Sequence, residues 1–319
     1  MSEPRPDFSF VVPAYQEAAN LPALLDSLKL LPAQRYEVLV ADNGSTDGTQ
    51  GIARKAGAKL LHRPDLNIGG LRNAAVRESR APILVFLDAD VRITPQWAEQ
   101  ADALASTLRE EPMQLTGCRG QPSGGSWIER VWFKPLCDKP LKYLVSSHLI
   151  TTRLVFDRIG GFDEALDTGE DVDFCERGRA AGARLQIRRE LAAVDTGFPP
   201  TLRDFARREC WHGLGDMRDW QTLAGSKVAL ASLLWAGLQL AVLLSLAGGQ
   251  FYLSAALVAM LAALCLALSL YKRDGAGLRE RLQHAWLCYV YLGARFAALP
   301  RRLLAGTRGK RTRKASAAA

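Results

Sequence analysis

The sequence predicts an α/β domain built on a parallel sheet, followed by an apolar helical hairpin. Three apolar runs, FSFVVPA, YEVLVAD and ILVFLDAD, alternate with amphipathic stretches such as NLPALLDSLKLL over residues 8 to about 200. Continuous apolar runs are typical of strands that helices cover on both faces of a parallel sheet. Farther along, the 44 positions 228–271 contain no Asp, Glu, Lys or Arg, so a wholly soluble chain is not expected.

The composition of the 319-residue chain excludes a disordered or collagen-like protein. Hydrophobic residues make up 48% of the sequence and charged residues 23%, which is typical of a chain with a packed core. The net charge is +8, but the basic excess lies beside the apolar stretches, and the sequence contains no recognised nucleic-acid motif. We therefore expect a membrane surface, and no nucleic acid, as the partner of the basic residues.

The cysteines and the N-terminal residues both favour a cytoplasmic first domain. Six cysteines are scattered without any CxxC pair, so neither a disulfide framework nor a zinc site is predicted and the thiols are expected to be reduced and structural. The N-terminal sequence MSEPRPDFSF lacks the basic-then-apolar pattern of a secretory signal, and the chain is expected to begin in the cytoplasm.

Polar and turn residues follow each of the three apolar runs. They occupy residues 13–17 after the first run, 42–45 after the second and 88–90 after the third. The carboxyl ends of parallel strands lie at one edge of a sheet, and ligands bind beyond that edge. The three segments are therefore predicted to line one cleft.

The uncharged stretch divides at residues 248–250 into two segments, 228–247 and 251–271. Each has about 20 residues, which is enough to cross a hydrocarbon core of ~30 Å as a helix. Basic residues flank both outer ends of the pair: Lys227, Lys272 and Arg273. Because basic residues favour the cytoplasmic side, the outer ends and the N-terminal domain are predicted to be cytoplasmic.

Two further segments flank the hairpin. The preceding segment interleaves Arg, Trp and Phe and is predicted to be a connector at the membrane surface. The aromatic segment 285–299 contains Arg295 and precedes a basic tail, so we favour an interfacial or re-entrant helix over a third span. The predicted organisation, in the inner (cytoplasmic) membrane, is a domain over 1–200, a connector over 201–227, two transmembrane helices over 228–271 and an interfacial helix with a basic tail over 272–319.

Asp88-Ala89-Asp90 is the strongest local signal for chemistry. Two carboxylates at i and i+2 after a strand can reach one hard cation such as Mg²⁺ or Mn²⁺, which commonly bridges a protein carboxylate to a diphosphate. Such a cation neutralises the charge that grows on a leaving diphosphate. Taken alone, the same residues also fit an ordinary acidic turn.

Two other acidic segments have both a structural and a functional interpretation. In DNGSTDGT, turn glycines and a helix cap at Asp47 explain the residues structurally, whereas Asp42 is also placed to accept a hydrogen bond from a base or ribose. Glu170, Asp171 and Asp173 begin a predicted helix, where acids favour the N-terminus. Alternatively, one of these three acids is a general base for an acceptor hydroxyl.

The motifs occur together in a specific order. VVPAYQEAANL, ADNGSTDGT, NIGGLRN, FLDAD, GGFDE and GEDVDFCERGRAAG follow one another at roughly the intervals seen in family 2 glycosyltransferases. The chain therefore resembles this family over residues 8 to about 215. The resemblance implies a Rossmann-like nucleotide-binding domain of the GT-A fold and a nucleotide sugar as substrate.

The resemblance assigns nucleotide contacts near the N-terminus. Pro13, Tyr15 and Glu17 match the family's nucleotide-contacting first loop, although Gln16 stands where Asn is usual. Asp42 matches the carboxylate that recognises the base.

The resemblance also assigns the residues that act on the diphosphate and the acceptor. Asp88 and Asp90 match the DXD pair, with Asp90 as the direct metal ligand and Asp88 nearer the ribose and diphosphate. Arg72 lies in the segment that usually faces the donor. Asp171 matches the catalytic base of the ED motif, and Glu170 beside it is included among the substrate-binding residues.

Two departures from the family pattern affect these roles. Many relatives carry a His near the position of Asp195. Either Asp195 replaces this His as an oxygen ligand of the metal, or the metal has no third protein ligand here. The processive polysaccharide synthases of the family carry QxxRW, of which only Trp211 is matched here. This difference favours the addition of one sugar per encounter.

A basic and aromatic group precedes the apolar region. Its members are Arg203, Arg207, Arg208 and Trp211. One interpretation is that they anchor the protein at the membrane interface. The alternative is that they bind the diphosphate of the donor or acceptor, because a guanidinium group matches phosphate in a bidentate way.

Together these observations predict an inverting, metal-dependent glycosyltransferase beside a membrane. Asp171 would deprotonate the acceptor hydroxyl. UDP-sugars are the commonest donors in the family, while GDP and TDP stay open. Because tethering raises the local concentration of enzyme about a lipid substrate, the expected acceptor is a lipid-linked glycan or glycolipid in surface polysaccharide or glycolipid synthesis.

The sequence bears on three alternative functions. A polyprenyl-phosphate sugar synthase would use Arg207 and Arg208 as its phosphate clamp. A catalytically inactive membrane scaffold is disfavoured because both DXD carboxylates and the base are retained. A nucleotidyltransferase is disfavoured because the first loop, PAYQEAAN, is not rich in Gly, Arg or Lys.

Overall fold

A computed structural model describes residues 5–139, 141–216, 220–273 and 275–300. The chain forms two compact units. The first contains the residues up to Ser123 together with Leu136–Phe198, and the second contains Gly124–Pro135 and the residues from Pro199 onwards. A short segment from the middle of the chain therefore belongs to the C-terminal unit, a feature that the linear sequence prediction did not include.

The secondary-structure elements follow the predicted alternation of strands and helices. The strands are β1 (Phe8–Ala14), β2 (Tyr36–Asp42), β3 (Lys59–His62), β4 (Ile83–Leu87), β5 (Val91–Ile93), β6 (Gln114–Gly117), β7 (Gln121–Pro122), β8 (His148–Thr152), β9 (Arg184–Ile187) and β10 (Ala193–Asp195). The α-helices are α1 (Leu21–Leu28), α2 (Thr49–Lys55), α3 (Ile68–Arg77), α4 (Pro95–Glu99), α5 (Ala101–Glu110), α6 (Lys134–Cys137), α7 (Arg153–Ile159), α8 (Glu170–Ala180), α9 (Leu202–Asp216), α10 (Trp220–Gly225), α11 (Lys227–Ala247), α12 (Phe251–Lys272) and α13 (Leu278–Phe296). A 3₁₀-helix covers Ala33–Arg35 and a π-helix covers Glu129–Phe133.

Within the described residues, a seven-stranded sheet has the order β3-β2-β1-β4-β8-β6-β9. Strands β3, β2, β1 and β4 are parallel, whereas β8 runs antiparallel to both β4 and β6. The α/β prediction is confirmed, but the sheet is mixed rather than wholly parallel. The sequence of β8, HLITT, is partly polar and was not among the apolar runs that predicted the sheet.

The central strands are buried because helices cover both of their faces. Every residue of β1 and β4 is buried. Phe8, Phe10 and Val12 pack in one hydrophobic cluster, whereas Val11 packs in another. This division follows from the alternation of side chains along a strand.

The remaining strands of the first unit form a small sheet of order β5-β10-β7 within the described residues. In it, Asp195 pairs with Val91 on one side and with Pro122 on the other. Because Val91 directly follows Asp90, this sheet brings Asp195 to the acidic segment that follows β4.

The second unit contains the apolar hairpin. Helices α11 and α12 are long and apolar enough to cross a membrane, and their bounds agree with the predicted segments to within one residue. Near the turn between them, the hydroxyl groups of Ser245 and Ser254 hydrogen-bond at 2.7 Å.

Helix α13 contacts both helices of the hairpin. It contacts α11 through a hydrogen bond between Gln239 and Tyr289 and a ring contact of 5.3 Å between Trp235 and Tyr289. It contacts α12 where Ser269 Oγ donates to the Arg281 carbonyl oxygen at 2.7 Å. Helix α13 therefore packs against both helices of the hairpin.

The segment Gly124–Pro135 is part of the core of the second unit. The Trp132 ring lies 5.1 Å from the rings of His284 and Tyr291 and 5.2 Å from that of Phe205. Three elements far apart in sequence therefore meet around one tryptophan.

All six cysteines lie in the described part of the chain. Each is buried and none forms a disulfide. Burial raises the pKa of the Cys118 thiol to about 12 and that of the Cys175 thiol to about 11. These two thiols are uncharged at neutral pH, in agreement with the predicted structural role.

Candidate active site

The carboxyl ends of β1, β2 and β4 lie side by side in the large sheet. Ala14, the last residue of β1, pairs with Asp42, and β4 flanks β1 on its other side. Hydrogen bonds join the loops that follow β1 and β2: the Gln16 amide donates to Ser45 Oγ at 2.9 Å, and the Glu17 amide donates to Thr49 Oγ1 at 2.8 Å. The loops predicted to line one cleft thus start from one edge.

The residues of the first loop differ in exposure. Pro13 is buried within β1, whereas Tyr15 exposes 59% of its surface. Burial raises the pKa of Glu17, and the nearby carboxylate of Asp88 adds to the rise. Gln16 has a φ of 58°, a left-handed conformation that Asn adopts more readily. Gln therefore replaces Asn at a position where the backbone conformation favours Asn.

Asp42 is a fully buried carboxylate in which one oxygen has no hydrogen-bond partner. Its Oδ2 atom accepts hydrogen bonds of 2.8–3.0 Å from Gly44 N, Ser45 N and Gln50 Nε2, and lies 3.3 Å from His62 Nδ1. Burial opposes ionisation, but the hydrogen bonds outweigh it and hold the pKa of Asp42 below its ordinary value. Its Oδ1 atom is buried without a hydrogen-bond partner, an arrangement that suits an incoming donor group.

The acidic pair after β4 lies close to two other acidic side chains, Glu17 and Asp195. Asp88 Oδ1 accepts a hydrogen bond of 2.8 Å from Arg72 Nη2. Burial, followed by the charges of Asp88, Asp195 and Glu17, raises the pKa of Asp90 to about 8. Either a proton or a bound cation relieves such repulsion between carboxylates.

Asp195 and the glycine two residues later pack against Asp90. The Thr196 amide and hydroxyl donate to the Asp90 carbonyl oxygen at 3.0 and 2.9 Å, and the Gly197 amide donates to Asp195 Oδ1 at 2.9 Å. A Cβ atom at position 197 would lie only 1.7 Å from Asp90 Oδ2. The backbone thus encloses the Asp90 carboxylate at a distance that only glycine permits.

The donor set fits a hard cation that also takes substrate ligands. In the described part of the chain, no group of three His, Cys, Asp or Glu side chains is gathered as a complete metal site. Mg²⁺ and similar ions are usually held by one or two carboxylates and complete their coordination with water and phosphate oxygens. Asp90, with Asp88 and Asp195 near it, provides such a partial set of oxygen ligands.

Arg72 connects the acidic pair to the ED motif. Its side chain is completely buried; Nη2 donates to Asp88 Oδ1 and Nη1 donates to Glu170 Oε1, both at 2.8 Å. Glu170 Oε1 also accepts a hydrogen bond of 3.1 Å from Ser146 Oγ. This burial differs from the donor-facing role suggested for Arg72 and from a direct substrate contact by Glu170.

Asp171 lies in the first turn of α8, next to the residue that Arg72 binds. Burial, followed by the charge of Glu170, raises the pKa of Asp171 to about 6, although a hydrogen bond of 2.8 Å from the Val172 amide to Asp171 Oδ1 opposes the rise. A carboxyl with such a pKa is largely ionised at pH 7 and is more basic than an ordinary Asp. This pKa fits the general-base role that the resemblance implies for Asp171.

The other predicted binding residues lie on α9 in the second unit. Arg207 is exposed and forms an ion pair of 3.2 Å with Asp204. The guanidinium carbon of Arg208 lies 4.9 Å from the centre of the Phe133 ring, and Trp211 exposes 42% of its surface. These contacts fit both interpretations of the group.

Two asparagines support the site in a way that the sequence analysis missed. Asn67 caps α3 by accepting a hydrogen bond of 2.9 Å from Gly70 N, and its side-chain amide donates to the Glu164 carbonyl oxygen at 2.7 Å. The side chain of Asn73 bonds both the amide and the carbonyl of Phe162 at 2.9 Å. An Asn before a predicted helix is a capping signal that would have identified Asn67, whereas no local signal identifies a partner 89 residues away.

Comparison with known proteins shows which family the N-terminal part of the chain resembles. Residues 9–129 match the family model described as Glycosyl transferase family 2, and this region includes the first two loops, α3 and the acidic pair. The chain is a glycosyltransferase, and residues 9–129 are similar to glycosyltransferase family 2. The predicted family resemblance and enzyme class are thereby confirmed.

Curated proteins similar to this chain are themselves glycosyltransferases. It is 27% identical over 238 residues to glycosyltransferase AglE of Haloferax volcanii, covering 69% of this chain and 76% of AglE. It is 25% identical over 235 residues to the pre-mycofactocin glycosyltransferase of Mycobacterium tuberculosis, covering 67% of this chain and 49% of that relative. The validoxylamine A glucosyltransferase of Streptomyces hygroscopicus is 26% identical and is covered to 55%. The chain thus matches about half the length of the last two relatives.

Two solved structures share the fold of this glycosyltransferase. The mannosyltransferase PcManGT from Pyrobaculum calidifontis, in complex with GDP-Man and Mn²⁺, has a TM-score of 0.57 and 21% identity, covering 92% of this chain and 87% of PcManGT. TarS of S. aureus, residues 1–349 in complex with UDP-GlcNAc, has a TM-score of 0.52 and 18% identity, covering 94% and 92%. These likenesses confirm the GT-A fold.

Proposed function

We propose that this glycosyltransferase catalyses inverting, divalent-metal-dependent transfer of a sugar from a nucleotide sugar to a membrane-associated acceptor. The observation that carries the proposal is the pair of hydrogen bonds by which Arg72 joins Asp88 to Glu170. Through them the acids expected at the diphosphate and the base expected at the acceptor belong to one site. Direct displacement needs both groups, on either side of the anomeric carbon.

Asp171 is the proposed base of the reaction. An acceptor hydroxyl within hydrogen-bond distance of its carboxylate loses its proton to that carboxylate as the oxygen attacks the anomeric carbon. The bond from the anomeric carbon to the diphosphate oxygen breaks on the opposite side, so the configuration inverts. The pKa of about 6 keeps Asp171 ionised at neutral pH.

Asp90, Asp88 and Asp195 are the proposed ligands of Mg²⁺ or Mn²⁺. Burial, together with repulsion from the neighbouring carboxylates, raises the pKa of Asp90 and supports a site for positive charge, and PcManGT was solved with Mn²⁺. A bound divalent ion supplies electrophilic stabilisation of the departing diphosphate. Asp90 is enclosed by Gly197, while Asp88 is fixed by Arg72 at one oxygen.

The donor is proposed to carry uracil or thymine. Asp42 Oδ2 is already surrounded by four polar groups, and only Oδ1 is available to a base. A single acceptor oxygen matches the single ring N–H of uracil or thymine. Guanine presents two adjacent N–H donors, which a carboxylate pairs best with both of its oxygens.

A binding experiment separates these bases. In the presence of Mn²⁺, we expect UDP to bind at least about tenfold more tightly than GDP, because the second guanine donor finds no acceptor and is left unpaired. Isothermal titration calorimetry measures both affinities. The Asp42→Asn variant, which keeps the shape of the side chain, is expected to lose most of the discrimination. Equal affinity of the wild-type protein for the two diphosphates contradicts the single-acceptor argument.

The acceptor is proposed to lie at the inner (cytoplasmic) membrane. Helices α11 and α12 are candidate spans, and Lys227 and Lys272 lie at the hairpin end remote from the turn. This distribution supports a multi-pass protein whose catalytic unit is cytoplasmic. Arg295 within α13 and the basic residues that follow it favour an interfacial rather than a spanning helix.

Arg207, Arg208 and Trp211 are proposed to bind the phosphate groups of a lipid-linked acceptor at this interface. Arg207 is exposed although it is paired with Asp204, and guanidinium groups bind phosphate in a bidentate way. A lipid-linked glycan or glycolipid of surface polysaccharide or glycolipid synthesis fits this position.

A panel of nucleotide sugars tests the proposal. The purified full-length protein in detergent is incubated with UDP-, TDP- and GDP-sugars, with and without Mn²⁺, and release of the nucleoside diphosphate is measured. We expect release from at least one UDP- or TDP-sugar that depends on Mn²⁺ and stops in Asp90→Ala. Release that persists without any divalent ion contradicts the metal-dependent mechanism.

The pH dependence of the reaction tests the role of Asp171. At saturating Mn²⁺, kcat/KM is expected to rise about tenfold per unit below about pH 6 and to level off above it, because only the ionised carboxylate accepts a proton. Initial rates between pH 4.5 and 8.5 give the profile. An Asp of ordinary pKa near 3.8 would give a flat profile over most of this range.

A further inference from the structure

The surroundings of Arg72 differ from those of a residue that faces the donor. Its side chain is completely buried, and both of its terminal amino groups donate to carboxylates within the protein. In this structure the guanidinium group has no exposed surface, and its Nε atom is buried without a hydrogen-bond partner. The inference developed here rests on the proposed function of the same site.

The two partners of Arg72 belong to the two halves of the site. Asp88 follows β4 and is one of the acids proposed to face the donor, while Glu170 is the first residue of α8 and precedes the proposed base, Asp171. Both Arg72 bonds measure 2.8 Å. One planar guanidinium therefore determines the separation between the end of a strand and the start of a helix.

The position of Arg72 is itself fixed. Helix α3 begins at the cap formed by Asn67, and Asn73, the residue after Arg72, is hydrogen-bonded to both backbone polar groups of Phe162. The guanidinium carbon lies 5.4 Å from the centre of the Phe162 ring. Arg72 thus leaves α3 in a direction set by its neighbours on both sides.

Burial makes this connection specific for arginine. A cation without contact with water is stable only when anions and hydrogen-bond acceptors surround it. A lysine ammonium is a point charge, whereas the planar guanidinium directs separate N–H groups at two acceptors. Loss of either carboxylate leaves a buried, partly unpaired charge.

We propose that Arg72 is a positioning residue that fixes the base helix α8 relative to the acidic pair after β4. Glu170 transmits this constraint to Asp171, its neighbour in the chain. The proton acceptor and the diphosphate-binding acids are thereby held at the separation that an in-line displacement requires.

A double-mutant cycle tests the proposal on the nucleotide sugar that the wild-type protein hydrolyses fastest. Arg72→Gln and Glu170→Gln are each expected to lower kcat by about 10- to 100-fold while changing the KM for the donor less than about threefold. Because both variants break the same connection, the double variant is expected to lose no more than the worse single variant. Additive losses overturn the proposal, and so does a tenfold higher KM with unchanged kcat in Arg72→Gln, which indicates direct donor binding.

Arg153→Gln is the matched control for stability. Arg153 is a partly buried arginine of the same unit that donates to the carbonyl oxygens of Val76 and Ser79 at the end of α3. Its loss is expected to lower the melting temperature while leaving kcat within about twofold at 20 °C. A kcat loss in Arg153→Gln equal to that in Arg72→Gln means that α3 stability alone is responsible and overturns the proposal.

Hydrogen–deuterium exchange gives a readout that does not need activity. Arg72→Gln is expected to speed exchange at least about tenfold both in residues 171–175 and in residues 88–91, because each segment loses its connection to the other. Unchanged exchange in either segment overturns the proposal. If the wild-type protein releases nucleotide from none of the sugars, the proposed function fails, and the exchange data still decide whether Arg72 joins the two segments.

Discussion

Asp171→Asn is expected to lower kcat for sugar transfer by about 10²- to 10⁴-fold, because the amide no longer accepts the proton of the acceptor hydroxyl. The same substitution is expected to raise the free energy of unfolding at pH 7.5 by roughly 2–3 kcal/mol, since one pKa unit corresponds to about 1.4 kcal/mol and the pKa of Asp171 moves from 3.8 to about 6. The same substitution is thus expected to lower kcat and to raise the free energy of unfolding.

The sign of the stability effect follows from proton binding. Between pH 3.8 and about 6, folded wild-type protein holds the Asp171 proton more often than the unfolded chain does, so its stability falls as pH rises through this window. Asn has no proton to lose. The gain in Asp171→Asn should therefore be near zero at pH 3.5 and complete above about pH 7, as measured by urea denaturation.

Asp173→Asn is the control for this pair of measurements. Asp173 lies in the same turn of α8 and pairs with Arg177 four residues later. It should retain kcat within about threefold, and it should lose rather than gain stability because the ion pair is broken. Equal kcat losses in the two variants would show that the first turn of α8, rather than Asp171, is being measured.

Gly197→Ala is expected to weaken Mn²⁺ binding at least about tenfold and to lower kcat by about 100-fold. The new Cβ atom would lie 1.7 Å from Asp90 Oδ2, so either the carboxylate or the loop must move. Gly197 does not have a left-handed backbone conformation, and the effect is therefore a collision with Asp90 rather than backbone strain. Calorimetric titration of Mn²⁺ in the presence of UDP measures the loss.

A double variant shows whether the collision is responsible. In the Asp90→Ala background, the oxygen that the Cβ atom meets is absent, so adding Gly197→Ala should have no further effect on Mn²⁺ binding. Gly51→Ala is a neutral control, because Gly51 lies in α2 with open space around its Cβ position. Strong Mn²⁺ binding by Gly197→Ala would remove Asp90 as the proposed ligand.

The sequence predicted the parallel half of the sheet well because the signal is local. The runs that became β1, β2 and β4 are apolar and end in polar turns, and burial on both faces requires that pattern. Strand β8 contains a histidine and two threonines and is nevertheless buried throughout. Its polar atoms bond to distant partners, such as Trp97 Nε1, which donates to His148 Nε2 at 3.0 Å. A short sequence window does not contain these partners.

The site was predictable at the level of motifs but not of contacts. The acidic residues after β4 and at the start of α8 were identified from the sequence, and their proposed roles stay predictions. The burial of Arg72 between Asp88 and Glu170 depends on residues 16 and 98 positions away. Likewise, the closeness of Gly197 to Asp90 arises from the pairing of β10 with β5. Both are tertiary contacts, which a local sequence pattern does not predict.

The membership of Gly124–Pro135 in the second unit has a practical consequence for shortened proteins. A chain cut after Phe198 retains Trp132 but lacks His284, Tyr291 and Phe205, the rings around it. Such a fragment would expose the apolar surface around Trp132 to solvent and is expected to aggregate during expression. Producing the first unit alone requires two changes: truncation after Phe198 and replacement of residues 124–135 by a short polar linker.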